Sequence, residues 1–155
     1  MYKTISVFFV VFVLILPSSA HAQRIFAFKL NDLNFGNVFI GYPAEVQHTD
    51  QNAAKFVFLH LSRKRKNILV NFSLPSYLTN GTNKIPIIFD KRHSAWSKRN
   101  RIQGRKNFNP YSPLYIRKIR RFKPVFIWLG GKLNPVSGVT PGIYNGTIIL
   151  TLEIL

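Results

Sequence analysis

The sequence contains no cysteine and only five acidic residues among 155. The lack of cysteine excludes disulfides, thiolate zinc sites, iron–sulfur clusters and cysteine nucleophiles. Against the five acids stand 22 lysines and arginines, which give the chain a formal charge of +17. Hydrophobic residues make up 46% of the chain, which is enough for a packed core and too much for a disordered basic tail. The length fits one domain.

The chain has a single long apolar run, at its N-terminus. Lys3 precedes the run at residues 5–16, Pro17 ends it, and residues 18–22 are small residues closing on an A-x-A pattern. These are the three parts of a secretory signal peptide, so we predict that residues 1–22 are removed. The alternative, a membrane anchor, needs about 20 apolar residues, and this run is shorter. Loss of Lys3 leaves a charge of +16 on a protein of the periplasm, cell surface or extracellular space, with no transmembrane segment.

The chain also lacks a convincing helical periodicity. Apolar residues instead alternate with a period of two, separated by Asn, Gly, Pro and Ser, which predicts short strands. The predicted strand segments are 24–30, 33–40, 55–61, 67–74, 85–89, 125–129 and 147–155. Only residues 115–122 could make one or two helical turns, between Pro113 and Pro124. At least six strands favour an all-β, two-sheet sandwich over residues 23–155, with a barrel as the alternative.

Residues 91–123 depart from this pattern. The segment holds twelve basic residues and no acid, and it is interrupted by Gly104, Pro110 and Pro113. We predict one long, partly irregular insert loop here, because loops of this length are functional or disordered. A second basic cluster, at residues 63–66, falls between two predicted strands, where it would fill a hairpin tip.

The basic residues interleave with aromatic ones such as Trp96, Phe108, Tyr115 and Phe122. This combination suits anionic polymers, because the charges follow phosphates or sulfates while the rings stack or pack. The candidate anion-binding residues are Arg63, Lys64, Arg65, Lys66, Lys91, Arg92, Lys98, Arg99, Arg101, Arg105, Lys106, Arg117, Lys118, Arg120, Arg121 and Lys123. The alternative is a solvated surface that only keeps the protein in solution. Because an exported protein rarely meets intracellular nucleic acid, the predicted partners are lipopolysaccharide, acidic glycan or extracellular DNA.

Groups for catalysis or metal binding are few and scattered. The acids show no spacing typical of acid–base catalysis, and His48, His60 and His93 lie in different predicted elements without metal-ligand spacing. His60 alternates with Phe56 and Phe58, which favours a packed or edge histidine over a ligand. No nucleophile elbow, P-loop or dinucleotide fingerprint occurs. We therefore predict no enzyme activity, no cofactor, no metal and no small-molecule substrate.

Two stretches carry a family resemblance. Residues 30–38 read LNDLNFGNV, followed by AAKFVF at 53–58, and residues 129–133 read LGGKL, followed by PGIYNGTI at 141–148. Together they resemble the secreted bacterial domain of unknown function 4402, which opens on D-L-x-F-G-x-V and closes on G-G-x-L and P-G-x-Y-x-G-T. The resemblance covers about residues 30–90 and 125–155. It implies an immunoglobulin-like β-sandwich related to pilins and spore-coat-protein-U adhesins, with no established activity.

The motif residues have structural roles that the sequence itself predicts. Gly142 after Pro141 predicts a type II turn with positive φ, and Asn145-Gly146 predicts a bulge or tight bend before the last strand. We expect Tyr144 to bury its ring and to pair its hydroxyl near a sheet corner. A ligand role is the alternative. The motif residues are Asp32, Phe35, Gly36, Gly130, Gly131, Pro141, Gly142, Tyr144, Gly146 and Thr147.

Two functions follow as expectations. The first is a structural or envelope-associated protein that assembles with itself or with another surface protein, an expectation that rests on fold analogy. The second is a binding module for anionic polymers, whose affinity falls steeply with salt because bound counterions are released.

Overall fold

A computed structural model describes residues 25–134 and 139–155; the predicted signal peptide lies outside these ranges. The described residues form strands and no helix, which confirms the all-β prediction. The strands are β1 Ile25–Asn31, β2 Ala44–Val46, β3 Ala54–His60, β4 Lys66–Ser73, β5 Tyr77–Thr79, β6 Lys84–Ile88, β7 Ser94–Ser97, β8 Lys106–Asn107, β9 Leu114–Ile119, β10 Val125–Leu129, β11 Gly131–Leu133 and β12 Ile149–Ile154. Within the same two ranges, no helix has the length and apolarity that a membrane span needs.

Two antiparallel sheets share the main core. One has the order β1-β3-β10-β7-β8 and the other the order β12-β4-β9. Alternate residues of each strand point to one face, so Phe58 and Ile127 of the first sheet meet Ile68, Val70 and Ile116 of the second in one buried cluster. The chain therefore packs the two sheets face to face.

A third sheet has the order β2-β11-β6-β5 and its own small core, which contains Ile85, Ile87 and Leu133. The chain passes from β10 into β11 through Gly130, where a Cβ atom would lie 1.9 Å from the carbonyl oxygen of Val46. Only glycine allows this approach of two backbones. Hydrogen bonding thus divides the described residues into three sheets, where the sequence predicted two.

The prediction of one long insert loop over residues 91–123 is wrong. The segment contributes three strands, β7, β8 and β9. Residues 115–122, where the sequence allowed one or two helical turns, belong to β9 and the turn that follows it. Leu114, Ile116 and Ile119 of β9 are buried in the main core. The basic residues conceal this strand in the sequence because they occupy its outward face.

Two smaller expectations also need correction. Residues 33–40 form no strand but run irregularly, with Leu33, Phe35 and Val38 packed against the second core. Residues 63–66 are not a hairpin tip, because β3 and β4 belong to different sheets. Residues 63–65 lie in the loop that passes from the five-stranded to the three-stranded sheet, and Lys66 begins β4.

Candidate functional site

At one end of the sandwich, two neighbouring loops each pass from one of the facing sheets to the other, and we call them the crossing loops. Residues 61–65 join β3 to β4, and residues 120–124 join β9 to β10, so both run between the two facing sheets. The loops are tied together, because the amide of Phe122 donates to the carbonyl of His60 at 3.1 Å and the His60 ring nitrogen Nε2 donates to the carbonyl of Ile119 at 2.8 Å. The chain thereby brings together basic clusters that are some fifty residues apart in the sequence.

We call this end the basic pole. It consists of Arg63, Lys64, Arg65, Lys66, Lys98, Arg99, Arg117, Lys118, Arg120, Arg121 and Lys123. Lys98 and Arg99 belong to it because β7 ends beside the start of β10, and the Lys98 ammonium donates to the carbonyl of Arg117 at 3.1 Å. Apart from the half-buried Lys66, all of these residues are exposed.

A β-bulge in β9 presents two consecutive basic side chains at the pole. The pairing of β4 with β9 shifts register so that Asn67 faces both Arg117 and Lys118. Lys118 has a φ of 53°, and its amide donates to the Asn67 side-chain oxygen at 3.0 Å. The extra residue lets both basic side chains face solvent while Ile116 and Ile119 on either side enter the core.

The backbone of the pole is strained at two points. Among the non-glycine residues that the structure describes, only Lys118 and Phe122 have a positive φ, at 53° and 55°. A side chain in this left-handed region costs about 1–2 kcal/mol, and such residues cluster at functional sites. Each of the two is held by a hydrogen bond from its own amide, to Asn67 and to His60 respectively.

His60 forms the floor of the pole. It is fully buried on the same strand face as Phe58, so the prediction of a packed histidine is confirmed. Its Nε2 bonds the carbonyl of Ile119, and its Nδ1 has no partner among the described atoms. The ring thus anchors the end of β9 beneath the exposed basic residues.

The charges of the pole have no acidic partners within residues 25–134 and 139–155. The ion pairs of these ranges lie outside the pole. One joins Lys29 to Asp32. The others join Arg92 to Asp90, His93 to Asp90 and His93 to Glu45. Like charges gathered without counterions repel one another and set up a strong local potential. The pole therefore carries a positive electrostatic potential that attracts anions.

Two exposed aromatic rings accompany the pole. The guanidinium carbon of Arg121 lies 4.4 Å from the ring centroid of Phe122, and that of Arg117 lies 5.9 Å from Tyr115. Phe122 is 55% exposed and Tyr115 is 51% exposed. Rings held next to cations offer stacking surface to a ligand as well as charge.

The remaining candidate anion-binding residues lie outside the pole. Lys91 and Arg92 occupy the turn after β6, and Arg101 lies in the loop between β7 and β8. Lys106 rests 5.7 Å from the centroid of Trp96. None of the four belongs to the crossing loops, but Arg101 and Lys106 line one shallow pocket together with Lys98 and Arg99 of the pole.

Arg105 is engaged inside the fold. Its guanidinium carbon lies 3.7 Å from the ring centroid of Trp128, and the group donates to the carbonyl of His48. Burial, together with the Arg105 charge, lowers the pKa of His48. Arg105 therefore pins the loop between β7 and β8 to the outer face of the five-stranded sheet.

Sequence reasoning missed a cluster of ionisable side chains. The buried His93 ring contacts Asp90 through Nδ1 at 2.8 Å and Glu45 through Nε2 at 2.7 Å. Partial burial acts to raise the pKa of Asp90, but hydrogen bonds from the Arg92 and His93 amides and the charge of His93 outweigh it and lower that pKa. The spacing Asp90-x-x-His93 was the available signal, whereas the contact with Glu45 spans 48 residues. Glu45 lies on β2 and His93 in the turn before β7, so their contact holds these two segments together. His93 is only 2% exposed, which shields this contact from solvent.

The two stretches that resemble domain 4402 meet around a cleft of about 1170 Å³ with both polar and apolar walls. Its floor includes Phe56, Ile87 and Leu133. The motif residues on its walls are Asp32, Phe35, Gly36, Pro141, Gly142, Tyr144, Gly146 and Thr147. Gly130 and Gly131 lie instead at the passage between β10 and β11.

The structure corrects one motif prediction. Gly142 does not have a positive φ; its lack of a side chain instead leaves room for the Asn80 amide, 3.1 Å from where a Cβ would stand. Tyr144 is half-buried, and its hydroxyl donates to the carbonyl of Thr140 at 2.7 Å. At Gly146 a Cβ would lie 2.8 Å from Leu78, so this position is fixed by close packing.

Comparison with known proteins gives no relative: no family model, no curated protein and no solved structure matches the chain. The resemblance to domain 4402 therefore stays a prediction. In the described ranges, no group of three or more His, Asp or Glu side chains is placed to hold a metal ion.

Proposed function

We propose that this chain is an exported, non-enzymatic β-protein that attaches to anionic polymers of the cell envelope through its basic pole. The observation that carries the proposal is the convergence of residues 63–66, 98–99 and 117–123 at one end of the sandwich, without acidic partners. An accidental excess of lysine and arginine would have no reason to gather on the two crossing loops.

The exposure of the pole favours a polymer over a small anion. Its side chains project from loops and strand ends into solvent, and they are not gathered in an enclosed pocket. Such a surface gains affinity from many phosphates or sulfates at once, each contact releasing counterions. Phe122 and Tyr115 add ring faces for sugars or bases. Lipopolysaccharide, sulfated glycan and extracellular DNA share this repeated anionic chemistry.

An envelope location and kinship with domain 4402 complete the proposal and rest on the sequence alone. The cleft between the two motifs, whose floor is apolar and whose walls include polar side chains, favours the second candidate function, a structural subunit that accepts a segment of a neighbouring protein. The cleft and the pole involve different residues. The two functions can therefore be tested separately.

The test is elution of the exported protein, expressed from the full chain, from immobilised lipopolysaccharide, heparin and duplex DNA in a rising salt gradient. The pole variant combines Arg63→Gln, Arg65→Gln, Arg120→Gln and Arg121→Gln. The matched control combines Lys84→Gln, Lys91→Gln, Arg92→Gln and Lys132→Gln, which lie on or after β6 and on β11, away from the pole. Both variants lose four positive charges, so any difference between them reports position and not net charge.

We expect the pole variant to elute at much lower salt than the control. On DNA, the slope of log affinity against log salt should fall by about 0.9 for each contacting charge removed. The polymer that holds the protein to the highest salt identifies the ligand class. Equal shifts for the two variants, or no retention on any of the three polymers, would refute the proposal.

A further inference from the structure

The loop between β7 and β8 forms a shallow pocket of about 290 Å³ beside the basic pole. Four of the side chains that line it are basic, and no acidic residue of the described ranges is among them. The basic residues are Lys98, Arg99, Arg101 and Lys106, and Trp96 forms a wall. We call this site the β7–β8 pocket. It gives a ligand a concave surface, which the projecting side chains of the crossing loops do not.

The positive charge of the pocket is not neutralised by the fold. None of the ion pairs within residues 25–134 and 139–155 includes any of its four basic side chains. The Lys98 ammonium donates to the carbonyl of Arg117 at 3.1 Å, a neutral partner that fixes Lys98 at the border with the pole and leaves its charge intact. Four cations around one small space repel one another, and an anion placed between them relieves this repulsion. The pocket therefore selects a ligand with a negatively charged group.

Trp96 adds an aromatic wall next to these charges. It lies directly opposite Lys106 on the neighbouring strand, so the two side chains share one face of the sheet. The Lys106 ammonium is 5.7 Å from the ring centroid of Trp96. The indole is half-buried and packs in part against the main core, which holds it in place. A fixed ring beside cations offers stacking surface to the ring of a ligand as well as charge to its anionic group.

The loop that carries the basic residues is held in shape by its own contacts. The Arg105 Nε donates to the carbonyl of Arg101 at 3.2 Å, and the Arg105 guanidinium is stacked 3.7 Å from the ring centroid of Trp128. The amide of Arg99 donates to the Ser97 hydroxyl at 3.2 Å. A loop that is ordered before binding avoids the entropic cost of ordering it with the ligand. Arg101 and Arg99 thus present their side chains from a fixed backbone.

We propose that the β7–β8 pocket binds a single sugar residue that carries a phosphate or sulfate group. The basic side chains contact the anionic group, and Trp96 packs against the sugar ring. A volume of about 290 Å³ lies at the lower end of the ~300–1,000 Å³ of ligand pockets, which suits one ring with its substituent better than a whole nucleotide. The inference rests on the proposed function and deepens it, because it names a phosphorylated or sulfated glycan as the polymer.

The number of cations favours phosphate over sulfate. A phosphate monoester carries a charge of about −1.5 to −2 at pH 7, whereas a sulfate monoester carries a single charge. The phosphodiesters of duplex DNA also carry a single charge each. We therefore expect a sugar phosphate to bind more tightly than the corresponding sugar sulfate. The reverse order would assign the pocket to a sulfated glycan and overturn the preference for phosphate.

The first test is an NMR titration of the exported protein, expressed from the full chain, with glucose 6-phosphate and glucose 6-sulfate. Glucose and inorganic phosphate are the reference ligands. Glucose 6-phosphate should bind more tightly than either reference and should shift the Trp96 indole N–H and the amide of Gly104, which also lines the pocket. Equal affinity for inorganic phosphate would overturn the sugar contact. Tighter binding of thymidine 5′-phosphate would assign the pocket to nucleotides and overturn the glycan.

The second test compares two variants that each lose two positive charges from exposed side chains. Arg101→Gln with Lys106→Gln removes charge from the pocket and should weaken the binding of glucose 6-phosphate by roughly 5- to 30-fold. Lys84→Gln with Lys91→Gln is the matched control, since neither residue lines the pocket, and it should change that affinity by less than about twofold. Equal weakening in both variants would overturn the proposal.

The pocket and the pole can fail independently of each other. Arg101 and Lys106 do not belong to the basic pole, so their substitution leaves the residues of the pole variant intact. Polymer retention that depends on the pole, without binding of glucose 6-phosphate, would overturn the pocket alone. Binding of glucose 6-phosphate by a protein that no polymer retains would refute the proposed function and leave the pocket standing.

Discussion

The left-handed backbone at Lys118 makes a quantitative prediction about the basic pole. Lys118 has a φ of 53°, and a residue with a Cβ in this region costs about 1–2 kcal/mol. Lys118→Gly removes that cost. Glycine in turn loses about 0.5–1 kcal/mol through its greater freedom in the unfolded chain. The substitution should therefore raise the free energy of unfolding by about 0.5–1 kcal/mol.

The neighbouring residue supplies the control. Arg117 shares the bulge and the exposure of Lys118, but it does not have a positive φ. Arg117→Gly therefore brings the cost of glycine without relief of strain, and it should lower stability by about 0.5–1 kcal/mol. Each variant removes one charge from the same cluster, so the electrostatic gain is common to both and cancels in the comparison. The two variants should differ by about 1–2 kcal/mol.

The measurement is urea denaturation of both variants beside the unmodified protein, with thermal unfolding as a second probe. For a chain of this length, 1 kcal/mol corresponds to a shift of about 4 °C in the melting temperature. The two variants should thus fall on opposite sides of the unmodified protein. If Lys118→Gly is no more stable than Arg117→Gly, the left-handed backbone carries no strain and the argument from it is refuted.

Two further predictions concern the scaffold and are checked by the same unfolding measurements. Gly130→Ala should cost about 3 kcal/mol, because the new methyl group would overlap the Val46 carbonyl, whereas Gly36→Ala, with open space but a φ of 63°, should cost only about 1 kcal/mol. Equal losses would contradict the steric reasoning. Asp90→Asn should lower stability at neutral pH. The pKa of Asp90 is depressed in the folded state, so its contribution is present above the usual value of 3.8 and is lost as the pH falls through the folded pKa. The difference between variant and unmodified protein should therefore close below about pH 4, and a constant difference down to acid would contradict it.

Strand prediction from the sequence worked where alternation was regular and breakers stood at both ends. β10 coincides with the predicted Val125–Leu129, between Pro124 and Gly130. The strands β3, β4, β6 and β12 lie within two residues of their predicted bounds. In these strands, apolar residues alternate with a period of two, which predicts a strand from the sequence. The same alternation supplies the apolar face that packs in the core.

The sequence failed at β9 because the bulge interrupts this period. The buried residues fall at positions 114, 116 and 119, and the two consecutive basic residues between the last two read as loop or helix. At residues 33–40 the error was the opposite one, because a strand was predicted where the structure has none. They alternate well enough to predict a strand, but their apolar side chains pack against the second core while the backbone stays out of the sheets.

The basic pole could be predicted only in part. Both basic clusters were recognised as candidate binding residues, but their meeting depends on the pairing of Lys66 with Ile119, 53 positions along the chain. No local pattern specifies such a register. The cluster of His93 with Asp90 and Glu45 was missed for the same reason.

Many basic residues of the segment 91–123 lie on strands or beside them, so their charge cannot be removed by deleting a loop. The sequence predicted one long basic insert loop at residues 91–123, and such a loop could be deleted as a unit. In the structure, residues 91–123 supply β7, which pairs with β10, and β9, which pairs with β4. Deleting the segment would expose both strands and open the main core. Binding and folding must therefore be separated by neutralising outward side chains one group at a time, while Leu114, Ile116 and Ile119 stay in place.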